Sequence, residues 1–82
     1  MKIIRKDLVR GKQKVVAGYG DINLQTGLTF LHDFAQSEAD ERKDVASISH
    51  RSIKAGEQVE HCLTLMGKIG NTCLVEYRLH LP

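Results

Sequence analysis

The chain has no tryptophan, one proline (Pro82), two tyrosines and two phenylalanines. So little proline leaves no room for a proline-rich linker or recognition segment. So few rings give no aromatic stacking pattern of the kind RNA-recognition folds carry. Only two cysteines occur, Cys62 and Cys73. Neither stands in a Cys-x-x-Cys pair or at zinc-finger spacing from a histidine. A zinc ribbon and a disulfide scaffold are excluded, and the two thiols read as reduced side chains of a cytoplasmic protein. No apolar run approaches the ~18 residues of a membrane span or forms a signal-peptide core, so no membrane association is expected.

Neither sign of charge dominates: 12 basic and 10 acidic residues give a net charge of +2 over 82 residues. That length fits one domain, residues 1–82. A domain of this size buries little more than ~60% of its unfolded surface and is marginal as a monomer. Charge is nevertheless uneven. Lys2, Arg5, Lys6, Arg10, Lys12 and Lys14 face only Asp7 in the first 14 residues. Asp21, Asp33, Glu38, Asp40, Glu41 and Asp44 outnumber Arg42 and Lys43 in residues 21–44. A basic arm of this kind can contact phosphates. Ile3, Ile4, Leu8 and Val9 interleave with it, which reads instead as a solvated strand whose edge is protected by lysine and arginine. With no ring in the basic stretch, nucleic acid is the least favoured partner.

Residues 2–9 and 12–19 read as strands, separate or continued through a bulge at Gly11. Residues 21–26 read as a loop. Thr26 is the expected N-cap of a helix with Leu28, Leu31, Ala35 and Ala39 at helical spacing and Phe30 and Phe34 beside them. Its last turns, QSEADERKD, are polar, which predicts burial of the N-terminal half and exposure of the C-terminal half. Strands follow over 46–54, 58–67 and 72–81. Val59, His61, Leu63 and Leu65 share one face, as do Cys73, Val75, Tyr77, Leu79 and Leu81. A three-residue loop Lys68-Ile69-Gly70, with Gly70 left-handed, opposes the two apolar faces and sends Cys62 and Cys73 to opposite sides. The expected architecture is α+β, an antiparallel sheet wrapped on one central helix.

Gly18-Tyr19-Gly20 lacks the Lys-Ser/Thr of a phosphate loop. Asp21, Asn23 and Gln25 precede the helix, where loops commonly line a pocket mouth. His50, His61 and His80 fall on strands. His50 and His61 lie on neighbouring strands and could approach to form a metal pair with Asp33, but without His-x-His or His-x3-His spacing they read as strand-face side chains, and no metal or cofactor is expected.

The segment Arg51–Leu79 resembles the C-terminal half of hot-dog domains of the acyl-CoA thioesterase group. Ala55-Gly56-Glu57 matches the family's small-Gly-acid turn, and Ile69-Gly70-Asn71-Thr72-Cys73 its hairpin. The segment GLTFLHDFAQ looks like the family's central helix, with Asp33 at its acidic position. The sequence departs from the family where Asp21–Gly27 replaces the glycine-histidine motif before the helix, and where two residues separate Lys43 from Ala46 instead of a strand. The resemblance implies hydrolysis or binding of an acyl thioester. Asp33 would be the base or nucleophile, and backbone N–H groups of Gly27 and Leu28 would face the oxyanion. Asn23, Gln25 and His32 would contact substrate. The alternative is a noncatalytic module of the same fold that binds an apolar small molecule or a protein. The thin core and the family's edge-to-edge pairing both imply a homodimer.

Overall fold

The computed structural model describes residues 1–81, and for Ala55 its backbone. The chain runs β1 (Lys2–Asp7), β2 (Lys12–Gly18), α1 (Leu24–Glu41), β3 (Val45–Ala55), β4 (Gln58–Gly67) and β5 (Cys73–His80). The expected α+β class is present: five strands form one antiparallel sheet in the order β2-β1-β5-β4-β3, with α1 packed against one face. The open choice at Gly11 resolves as a hairpin. Asp7 Oδ1 accepts the N–H groups of Val9 and Arg10, its carbonyl accepts that of Gly11, and Gly11 turns the chain at φ 72°.

The helix connects β2 to β3, which are the two edges of the sheet. At 18 residues it is about 27 Å long. Four inter-strand gaps span about 19 Å, so the helix can cross the sheet on a diagonal. It begins two residues before the predicted cap. Asn23 holds the N-cap position, its Oδ1 accepting the N–H of Thr26 at 2.8 Å, and Thr26 lies inside the first turn.

Strand alternation aims Ile3, Leu63, Leu65, Val75, Tyr77 and Leu79 at Leu31 and Ala35 of the helix, and all eight are buried. Leu65 opposes Val75 and Leu63 opposes Tyr77, so the apolar faces pair as the pattern requires. The turn between them is longer than three residues: it occupies 68–72, with Gly70 and Asn71 both at positive φ, and the register shifts just before it, between Leu65 and Met66. Cys73, expected on the apolar face, is exposed, while Cys62 is buried and both thiols are free. Beyond the helix the apolar face of β4 opens, and Val59 is exposed.

The opposite face of the sheet closes with charge. Glu76, only 7% exposed, accepts from Arg78 Nη2 at 2.9 Å and lies 3.7 Å from Arg51. Glu60 pairs with His80 at 3.1 Å and with Arg78 at 3.7 Å. Beneath this lattice Cys62 and Thr64 are shielded from water, and burial pushes the Cys62 thiol up. Long side chains thus cover apolar surface while their heads stay paired.

Val75 has no exposed surface and sits between Asp7 and Leu65 in the ladder. Val75→Asp is expected to cost about 3 kcal/mol or more, the penalty of an unpaired buried charge, and to abolish cooperative thermal unfolding followed by circular dichroism. A transition unchanged from wild type would place this face in water.

Candidate functional site

The residues singled out before the helix fall into three environments. Asp33 and His32 are exposed on α1, and Asp33 faces away from the buried stripe of Gly27, Leu31 and Ala35. Gln25 is exposed, and the Asn23 side chain is engaged as the helix cap. Gly27 is buried where the helix comes nearest the sheet: a Cβ built there would lie 2.6 Å from Met1 Sδ and 3.1 Å from Leu79 Cδ2. Its N–H donates to the Asn23 carbonyl at 3.0 Å. Leu28 is half-buried one turn into the helix. Starting the helix at Leu24 therefore spends the Gly27 N–H inside the helix, and the first-turn donors aimed outward belong to earlier residues.

The most strongly perturbed carboxylate is Glu38, in the helical half expected to be exposed. Its Oε1 accepts from Arg5 Nε at 2.7 Å and from the Tyr77 hydroxyl at 2.5 Å. Its Oε2 accepts from Arg5 Nη2 and Arg42 Nη1, both at 2.9 Å. The Arg5 bonds are the largest cause holding Glu38 down to about 2, with Tyr77 and Arg42 adding to them against burial. Burial first and Glu38 second push Tyr77 up to about 12. A shifted carboxylate is a reason to look for catalysis. Here both oxygens are filled by donors from three elements, so Glu38 is a structural tie. The polar run QSEADERKD gave no sign of it, because Arg5 and Tyr77 are 33 and 39 residues away.

The larger cavity, about 580 Å³, lies at the other end of the helix, between the turn into β3 and the β4–β5 turn. Gly67, Ile69, Thr72 and Leu74 give it a mainly apolar lining; Lys43, Lys68 and Asp44 supply the charge. Backbone bonds fix its walls: Lys68 N–H donates to the Asp44 carbonyl at 3.0 Å, and Gly67 N–H to the Thr72 carbonyl at 2.6 Å. Arg42 binds both Asp44 carboxylate oxygens at 2.8 Å and holds that carboxyl below its usual range. With Asp44 neutralised, the two lysines set a positive rim. The volume is that of a small-molecule site. A second cavity of about 330 Å³ lies between α1 and β3, beside Gln36, Asp40 and Ser47. Neither includes Asp33, Asn23, Gln25 or His32.

Comparison of the chain with protein-family models, curated proteins and solved structures returns no match. Among the described residues no helix is long and apolar enough to cross a membrane.

Protonating Glu38 breaks a contact that the unfolded chain lacks. Its folded value is lowered from 4.5 to about 2, so its stabilisation is complete above pH 4.5 and is lost as pH falls through about 2. Tyr77 acts at the other limit: its contribution is complete below pH 10 and is lost as pH rises through about 12. Urea unfolding between pH 5 and pH 2 is expected to show a steep acid loss in wild type. In Glu38→Gln that loss should be shallower by about one proton. Superimposable acid limbs would show that Glu38 carries no linkage.

Proposed function

We propose that this chain is a noncatalytic hot-dog-like binding module for an apolar chain with an anionic head, of the acyl-thioester class. The observation that carries the proposal is the apolar cavity rimmed by Lys43 and Lys68. An acyl chain would lie against Leu74 and Ile69. The phosphates of coenzyme A or of an acyl carrier would meet the lysines, whose field also steers an anion inward. One helix on an antiparallel sheet, together with the resemblance of the Ile69–Cys73 segment to the family's hairpin, supports the class of ligand. The module binds without turnover, since Asp33 stands on the open helix surface and outside both cavities.

The homodimer belongs to the same proposal. Its contact would run along a strand edge, because the outer sheet face carries the Arg51–Glu76–Arg78–Glu60 lattice. β3, with 11 residues, is the longer of the two open edges.

A medium-chain acyl-CoA titrated into labelled protein is expected to shift amide signals of residues 43–44 and 67–74. The same signals should respond at least tenfold more weakly in Lys43→Glu/Lys68→Glu. Light scattering of the sample should give twice the 9.2 kDa chain mass. Shifts confined to residues 21–35 would move the ligand to the Asp33 surface, and shifts confined to 2–14 would reduce it to surface electrostatics. A 9.2 kDa particle at every concentration would remove the dimer.

A further inference from the structure

Three of the four histidines converge from three elements: His32 on α1, His50 on β3 and His61 on β4. His50 opposes Leu63 and His61 opposes Ser52, so the two histidines are diagonal neighbours on the helix-facing side of the sheet. Diagonal positions are within reach for ring side chains. Their imidazoles stack with centroids 5.5 Å apart at 16°, and His50 Nε2 stands 3.2 Å from His61 Nδ1. Ser52 Oγ is 3.4 Å from the same Nδ1, and the His32 ring is centred 6.0 Å from that of His50. His32 and His50 are exposed and His61 is half-buried, so the cluster is open to solutes.

Two imidazole nitrogens bound to one tetrahedral zinc at 2.0–2.1 Å stand about 3.3 Å apart. The His50–His61 separation already has that value. The two nitrogens face each other at hydrogen-bond distance, with donor and acceptor set by the tautomers, so two lone pairs do not converge on a common point. A cation would sit off the line between the nitrogens, with each ring tilting toward it and one ring changing tautomer. The surroundings allow the tilt, since no protein atom closes over exposed His50. Among the described residues no group of three or more His, Cys, Asp or Glu side chains is already placed to hold a metal ion, so binding requires these rings to move. His32, on the facing helix with its ring centred 6.0 Å from that of His50, would be the third ligand. Water would take the remaining position.

We propose that His50 and His61, joined by His32, form a binding site for a divalent transition-metal ion of the zinc–copper class. Imidazole ligands suit these ions and disfavour magnesium and calcium. Occupancy would clip α1 to β3 and β4 at the margin where the core ends, and it would leave an open coordination position. The inference does not depend on the acyl-ligand reading, because neither cavity includes these residues.

The test is Zn²⁺ titration of the untagged chain at pH 7.5, followed by calorimetry and by imidazole ¹⁵N signals. One ion per chain is expected. The His32, His50 and His61 resonances should move together while those of His80, paired with Glu60 on the opposite face, stay in place. The melting temperature should rise with Zn²⁺, as it does for any ligand that binds only the folded state. His50→Gln and His61→Gln should each weaken binding at least tenfold and His32→Gln about threefold, with His80→Gln unchanged. Should a variant fail to fold, the wild-type imidazole shifts alone decide. No saturable binding below millimolar Zn²⁺ would overturn the proposal. So would binding that survives both His50→Gln and His61→Gln, or shifts centred on His80.

Discussion

Glu38 places a carboxylate where the helix meets β1 and β5, at a position only 14% exposed, and an ionised group there needs donors on several sides. Arg5, Tyr77 and Arg42 supply four hydrogen bonds. The helix packs mainly over β3, β4 and β5. The β1–β2 hairpin joins that assembly by its ladder to β5, by Ile3 in the core, and by Arg5 reaching Glu38. At the far end of β2, Tyr19 stacks on Phe30 with ring centres 4.9 Å apart. The two fastenings, one ionic and one aromatic, tie the β1–β2 hairpin and the chain after it to the helix.

The packing of the helix on the sheet bears on where a ligand can go. The middle of the helix face is filled by Leu31, Ala35, Leu63, Leu65 and Tyr77, and the outer face is closed by its arginine–glutamate lattice. The two cavities described lie at the margins of the helix–sheet contact. At the C-terminal end of the helix the cavity under Lys43 and Lys68 opens. Past the last core leucines, His32 of α1 and His50 of β3 stand exposed beside half-buried His61 of β4. Both features occupy margins of the core, where side chains can be spent on something other than packing.

Period-two alternation made β4 and β5 and their facing sides legible, because burying one face specifies register strongly. The helix was legible from Leu28, Leu31 and Ala35. Its start was not: Asn23 and Thr26 are both capping residues, and the local pattern does not rank the earlier, which the fold uses, above the later. Glu38 looked solvated because its partners come from distant strands. The neighbouring strands of His50 and His61 were legible, but not their diagonal contact or the nearness of His32, since these depend on register and on where the helix packs. The cavity draws its lysines from two turns, and neither turn shows a motif alone.

The claim that Glu38 fastens the hairpin to the helix is tested most directly by a double-mutant cycle on Arg5 and Glu38, with unfolding free energies from urea at pH 7. Arg5→Met and Glu38→Gln, alone and together, should show a coupling of about 1–3 kcal/mol, the range for a bidentate, partly buried pair in contact. Additive losses, with no coupling beyond measurement error, would mean that the hairpin is held by the β1–β5 ladder and the core alone, and would contradict the account.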